Sequence, residues 1–146
     1  SPGEDSWLQS ITYCCLNLFG IFVFYLKIIM MKIIPLDSVE KKEVHMEGAA
    51  GAWKQLPLGR EDGVPVYSYR VFTVEPNGHT PYHNHPYEHM NFVIEGHGVL
   101  VNEAGEEFPL KAGDFALVSP DEKHQYRNSS ADKNFKMICG VPKEFE

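Results

Sequence analysis

Four of the seven histidines are spaced as metal ligands often are. His83 and His85 are separated by one residue, so an extended chain points both imidazoles to the same face. His89 follows four residues later, after Pro86, where the chain can turn into the next strand. His124 lies far along the chain and can close a ligand cage from another strand. Neutral imidazoles in this arrangement predict a site for one divalent metal ion.

The remaining histidines, His45, His79 and His97, fit surface positions or satisfied core positions. A chance surface patch is the alternative interpretation of the cluster. We favour the metal site because the clustered histidines stand at the entry to a predicted strand. One ligand has its own alternative: Glu88 faces away from His89 in a strand, but a register slip of one residue would make Glu88 the ligand instead.

The segments that must position these histidines have the composition of short β-strands. They are rich in β-branched and aromatic residues, arrive every 8 to 12 residues and show no 3.6-residue period after residue 60. This spacing predicts an all-β sandwich or barrel. The predicted strands cover residues 67–74, 90–96, 99–101, 107–110, 115–119, 124–128 and 135–141.

Turn residues separate these strands. The run Pro76-Asn77-Gly78 is expected to end the first strand, and Gly96-His97-Gly98 is expected to form a hairpin between the next two. Residues 35–60 are less clear and are expected to hold a short strand or a loop lying across the barrel.

Strand alternation also predicts which side chains face inward. Counting from His124 points Tyr126 into the barrel, and Phe135, Met137 and Cys139 share one face of the last strand, which we expect to be the inner one. Cys139 is then a buried thiol close to the metal, and its expected role is that of a small apolar filler.

The first 34 residues differ from the rest. An uncharged stretch of 16 residues, from Ile11 to Leu26, is followed by Lys27, which makes it marginal as a membrane span. The segment is best interpreted as an apolar extension upstream of a natural start near Met30 or Met31. A membrane anchor and a helix packed on the body or on a partner remain alternatives. We therefore divide the chain into an extension, residues 1–34, and one domain, residues 35–146.

Charge and cysteine usage restrict the function classes. The chain of 146 residues has 20 acidic and 13 basic residues, a formal net charge of −7. This sign disfavours binding to nucleic acid and to anionic membrane surfaces. Three cysteines without regular spacing do not describe a disulfide framework, so a cytoplasmic, reducing location is expected.

The histidine segment resembles the first sequence motif of the cupin family. In that motif a glycine is followed by His-x-His, an acidic residue and a second glycine. Gly78, His83, His85, His89 and Gly96 take those places here. The chain departs from most cupins at His89, where they have glutamate.

The second cupin motif runs from glycine through histidine to asparagine, and Gly113, His124 and Asn128 match its spacing. Ser119 and Asp121 stand where the motif has proline and glycine. Both motifs occur in the right order, and the resemblance covers residues 65–142.

The resemblance implies a single cupin β-barrel, that is, a double-stranded β-helix or jelly roll. The segment HPYEH and the tail VPKEFE are similar to small, four-histidine, manganese-type cupins. They imply one divalent transition metal ion held by His83, His85, His89 and His124. Manganese is favoured, with iron, nickel, copper and zinc as alternatives. The resemblance also implies a homodimer.

For function, the resemblance implies a metal-dependent oxidoreductase, similar to dioxygenases, that acts on a small molecule. Isomerase or lyase chemistry by metal polarisation is a variant. A non-catalytic small-ligand or metal-sensing module and a purely structural metal site are the alternatives, because one fold hosts many functions. The sequence assigns neither a substrate nor a catalytic residue.

Overall fold

Strands dominate the part of the chain that the computed structural model describes, residues 31–146. Short 3₁₀ turns occur at Leu36–Ser38, Arg60–Asp62 and Lys143–Phe145. Within these residues no helix is long and apolar enough to cross a bilayer. The prediction of an all-β domain is confirmed. The strands are β1 (Lys42–Glu43), β2 (Ala50–Leu58), β3 (Tyr67–His79), β4 (His89–Glu95), β5 (His97–Val101), β6 (Glu107–Lys111), β7 (Phe115–Val118), β8 (Gln125–Arg127) and β9 (Phe135–Pro142).

The strands form one curled, antiparallel sheet. Its order is β6-β5-β8-β3-β9-β4-β7, and β2 pairs with β3 and with β1. The long strand β3 stands in the middle of this order, between β8 and β9. It pairs with β9 and with β2, and its last residue, His79, pairs with Arg127 of β8. This pairing brings the two segments that carry the first and second histidine motifs to the same end of the barrel.

The core follows the alternation predicted from sequence. Tyr126 is 3 % exposed, and Phe135, Met137 and Cys139 are each at most 1 % exposed. The prediction that these side chains face inward is confirmed. The main apolar cluster of the described residues consists of Val74, Val93, Val118, Tyr126, Phe135 and Met137.

The first predicted strand does not end at Pro76-Asn77-Gly78, and that expectation was wrong. Strand β3 continues to His79, and the pairing with β2 shifts register between Ala50 and Ala52. Asn77 adopts a φ of 62°, a left-handed conformation that asparagine tolerates. The turn residues therefore make a bulge inside a paired strand, because the neighbouring strand supplies partners on both sides of it.

The expected hairpin at Gly96-His97-Gly98 was also wrong. Strand β4 pairs with β7 and β9, whereas β5 pairs with β6 and β8. Gly96 has a φ of 75°, and a Cβ there would overlap the carbonyl oxygen of Asn134. The glycine therefore redirects the chain to a different part of the sheet at a point of close backbone approach.

The unclear region, residues 35–60, contributes β2, which pairs with β3 along most of its length. Contacts group Ile34–Glu146 into one compact unit. The predicted extension, residues 1–34, lies outside the described residues except for its last four, and it stays a prediction, as do its alternatives.

Replacing Gly96 by alanine should destabilise the domain more than the same change at Gly105. Both glycines have a positive φ, 75° and 79°, so both variants carry the left-handed strain of about 1–2 kcal/mol. Only Gly96→Ala adds a collision with backbone, which should cost about 1–3 kcal/mol more. Urea unfolding of the two variants measures the difference.

Gly105→Ala is the matched control because nothing lies within 4 Å of its added Cβ. Equal unfolding free energies for the two variants would contradict the close packing of Gly96 against Asn134.

Candidate metal centre

His83 and His124 are tied together by their backbones. The His83 N–H donates to the His124 carbonyl at 3.2 Å, and the His124 N–H donates to the His83 carbonyl at 2.9 Å. This isolated antiparallel bridge brings the two imidazoles together, with ring centroids 5.2 Å apart. One predicted ligand from each sequence motif is therefore held by main-chain hydrogen bonds rather than by side-chain packing alone.

His85 is oriented by the loop around it. Its carbonyl accepts from the Asp121 N–H at 2.8 Å, and its Nδ1 donates to the Tyr87 carbonyl at 2.7 Å. The imidazole stacks on the Tyr87 ring at 3.8 Å, which in turn stacks on Phe145 at 4.2 Å. With the proton fixed on Nδ1, the Nε2 of His85 carries the lone pair that could bind a metal.

His124 has the same kind of support. Its Nδ1 donates to the Glu122 carbonyl at 2.8 Å, which leaves Nε2 without a proton in the neutral ring. Carbonyl partners at the distal nitrogen are typical of metal-ligating histidines, because they fix both the tautomer and the ring orientation.

His89 opens strand β4 and is 7 % exposed. Its Nε2 lies 2.6 Å from the Nε2 of His85, and its ring centroid lies 5.1 Å from that of His124. The neighbouring Glu88 points elsewhere and accepts a hydrogen bond from the Tyr67 hydroxyl at 2.7 Å. In this register His89 therefore joins the cluster and Glu88 does not.

The inner nitrogen of His89 has two buried neighbours. The Arg70 Nη2 lies 3.2 Å from Nδ1, and the Cys139 sulfur lies 2.9 Å from it. Arginine can only donate, so it cannot accept a hydrogen bond from the His89 Nδ1–H. The His89 Nε2 has a lone pair for a metal only when Nδ1 carries the proton, and the sulfur then accepts the hydrogen bond from Nδ1. The Cys139 sulfur is thus the acceptor available to the His89 tautomer that could bind a metal, a contact that the expected role of apolar filler does not include.

The donor set fits a metal ion. Ligand nitrogens of His83, His85 and His124 lie within 4.8 Å of one another, a group compatible with one ion. His89 stands beside this group as the fourth predicted ligand. The structure thus brings all four predicted histidines together, while the four-ligand set itself and the identity of the metal stay predictions.

Burial keeps the imidazoles in the neutral form that binds metals. Burial, followed by the charge of Arg70, lowers the pKa of His89 to about 2. Burial, followed by the neighbouring His124 and His85, lowers the pKa of His83 to about 4. The pKa values of His85 and His124 are also lowered, in both cases mainly by burial. All four rings are therefore neutral at pH 7.

A cavity of about 560 Å³ opens beside the histidines. The barrel interior contributes Phe72, Met137 and Tyr126 to its wall, and the region before β2 contributes Val44 and Met46. This volume is within the range of small-molecule sites.

Among the wall residues that the sequence did not predict are the buried Arg70 and Asn91, which are 7 % and 3 % exposed. The signal was present for Arg70. Arg70, Phe72 and Val74 are two residues apart on β3 and therefore share one face of the strand. The charge of Arg70 thus lies on the apolar inner face.

The other histidines lie apart from the cluster. The His79 ring contacts the Thr80 carbonyl at 3.3 Å, and His97 is exposed at the start of β5. The exposed His45 lies at the rim of the cavity. The expectation that these three hold no central place in the site agrees with their positions.

Comparison with known proteins points to one family. The family model described as "Cupin domain" matches residues 70–141. An L-ectoine synthase from Mycolicibacterium gilvum is 27 % identical over 96 residues, which cover 65 % of this chain and 72 % of the relative.

Solved structures agree with that assignment. The polyketide cyclase RemF from Streptomyces resistomycificus superimposes with a TM-score of 0.73 at 26 % identity, covering 78 % of this chain and 80 % of the cyclase. A cupin 2 domain-containing protein from Halorhodospira halophila gives a TM-score of 0.60 at 28 % identity, covering 73 % and 78 %. With both histidine motifs meeting at one end of a curled antiparallel barrel, the chain belongs to the cupin family.

Proposed function

We propose that this cupin is a metal-dependent enzyme that acts on a small molecule. The observation that carries the proposal is the convergence of four neutral imidazoles on the wall of a cavity large enough for a substrate. A structural metal site would have little use for such a cavity, since structural sites are closed.

The residues that would hold the ion are His83, His85, His89 and His124. A divalent ion there would act as a Lewis acid that polarises oxygen atoms of the substrate. No carboxylate ligand would reduce its positive charge. The carbonyl partners of His85 and His124 hold those rings in the ligating tautomer. The apolar side chains of Phe72 and Met137 would hold the carbon skeleton of the substrate and exclude water.

Two reaction classes follow from this site. The first is oxidoreductase chemistry of the dioxygenase type with manganese as the favoured metal, as the motif resemblance implies. The second is redox-neutral polarisation, which is favoured by the names of two relatives, a synthase and a cyclase. Oxygen uptake during turnover separates the two classes, because only the first consumes dioxygen. A non-catalytic ligand-binding module is the remaining alternative and would bind without forming product.

We also propose a homodimer and a cytoplasmic location. Strand β7 ends the sheet, carries no charged residue, and exposes Phe115 at 80 % and Leu117 at 66 %. An uncharged edge of this kind can pair with the same edge of a second copy. The buried, free thiol of Cys139 supports a reducing compartment.

Single alanine replacements of His83, His85, His89 and His124 should each weaken metal binding by about a hundredfold or more, because even loss of a supporting outer residue costs 10- to 100-fold. Metal content by elemental analysis after dialysis, together with competition against a chelator of known affinity, measures the loss.

Glu88→Ala is the control, because it removes a carboxylate one residue from His89 that contacts Tyr67 instead of the cluster. Retained metal in Glu88→Ala is the expected result. Lost metal in Glu88→Ala with retained metal in His89→Ala would show that the carboxylate is the ligand and that the four-histidine site is wrong.

The metal-free protein should lose stability as the pH falls below about 6.5. The folded pKa values of His83 and His89, about 4 and about 2, lie below the ordinary value of 6.5, so the unfolded chain takes up protons first. Their contribution is complete above pH 6.5 and declines as the pH falls toward the folded values. Urea unfolding at pH 7.5 and pH 5.0, with chelator present, measures the effect.

The variant His89→Gln should show a smaller loss between these two pH values, since it lacks one of the titrating rings. His97→Gln, which removes an exposed histidine, should behave like the unmodified protein. A metal-free protein that is as stable at pH 5.0 as at pH 7.5 would contradict the burial of neutral rings.

Replacing Phe115 and Leu117 by aspartate should convert the dimer into a monomer, because charges on both copies would face each other across the β7 edge. Light scattering coupled to size-exclusion chromatography measures the mass. The control is Phe108→Asp, a change at another exposed aromatic residue, on β6. A monomeric unmodified protein, or a dimer that survives the change on β7, would refute this interface.

A further inference from the structure

Three buried polar atoms in the cavity wall have no hydrogen-bond partner among the described residues. They are the Arg70 Nε, the Asn91 Oδ1 and the Tyr126 hydroxyl. Only one other such atom occurs in residues 31–146, on Arg127, outside the cavity. Buried polar groups are nearly always paired, so three unpaired groups around one cavity indicate a polar ligand.

Arg70 is the centre of this group. Its Nη1 lies 3.5 Å from the Phe145 carbonyl, and its Nη2 donates to the Cys139 sulfur at 3.3 Å and lies 3.2 Å from the His89 ring. No ion pair with a carboxylate is found for it within the described part of the chain. Arg70 as a residue is only 7 % exposed, and a buried charge without a counter-ion calls for an anion from outside the protein.

The charged residues of the cavity wall also favour an anionic ligand. The cavity is lined by the cations Lys42, Lys54 and Arg70 but by only one carboxylate, Glu43. A metal ion would add two more positive charges, whereas the chain as a whole carries −7. This local inversion of sign would attract an anionic ligand into the cavity.

We infer that the cavity binds a small hydroxy- or amino-carboxylate, its carboxylate lying against Arg70 and Tyr126. The Arg70 Nε–H and the Tyr126 O–H donate to the carboxylate oxygens, and the Asn91 Oδ1 accepts from the hydroxyl or amino group of the ligand. Phe72 and Met137 contact its carbon skeleton. The inference names the substrate class of the proposed enzyme and in that respect rests on the proposed function.

The choice of a carboxylate follows from the donors. The Arg70 Nε–H and the Tyr126 hydroxyl supply one donor for each of the two carboxylate oxygens, and the charge-assisted hydrogen bond from arginine is of the stronger kind. The Tyr126 phenol carries one O–H, which is the donor available to a carboxylate oxygen.

Mandelate is a suitable probe because it combines a carboxylate, a hydroxyl group and an apolar ring, and mandelamide is its neutral counterpart. Calorimetric titration of the metal-loaded protein should show mandelate binding about tenfold or more tighter than mandelamide. Arg70→Gln should weaken mandelate binding by about tenfold or more and leave mandelamide binding within about twofold.

Arg127→Gln is the matched control, since it removes the same charge from an arginine that pairs with Glu107 and does not line the cavity. It should leave mandelate binding unchanged. Equal mandelate affinity in the unmodified protein and in Arg70→Gln, or no mandelate binding at all, would overturn the inference. Equal affinity for mandelate and mandelamide would also overturn it.

Metal content is measured on the same samples, so that the two proposals can fail separately. If the protein holds no metal, the proposed function fails, but mandelate binding that depends on Arg70 still supports the carboxylate site. If Arg70→Gln does not fold, by circular dichroism, Lys54→Gln replaces it. That variant removes a half-buried cation of the same wall and should weaken mandelate binding by about two- to fivefold, with unchanged affinity overturning the inference.

Discussion

The antiparallel bridge between His83 and His124 is the contact on which the site depends. It joins two segments that are 41 positions apart in sequence, and further main-chain hydrogen bonds connect the same two segments. Asn128 donates its N–H to the Gly78 carbonyl at 2.9 Å, and the Thr80 N–H donates to the Tyr126 carbonyl at 2.9 Å. Main-chain hydrogen bonds thus align the two cupin motifs, and two metal-ligand candidates face each other as a consequence.

Placing four imidazoles and a guanidinium in one buried region has an electrostatic consequence. Desolvation opposes protonation of the rings, and the charge of Arg70 lowers the pKa of His83, His85 and His89 further. The rings are thereby kept neutral without any carboxylate ligand. The same arrangement leaves the cavity positive inside an acidic protein, so the features that suit a metal also suit an anion.

The relatives show how little the barrel alone says about chemistry. A protein named as a cyclase shares this fold at 26 % identity, and one named as a synthase is 27 % identical to the chain over 96 residues. Specificity must therefore come from the wall around the histidines, where Arg70, Asn91 and Tyr126 have polar atoms without protein partners.

The sequence by itself determined the strand pattern, the inward faces and the cluster of histidines, because side-chain periodicity and motif spacing are local properties. It did not determine the path of the chain. The glycines at 96 and 98 looked like a hairpin, yet Gly96 sends the chain to a different part of the sheet. Only the tertiary structure placed Arg70 beside His89 and Cys139, since these residues lie on three different strands and their contact depends on long-range pairing.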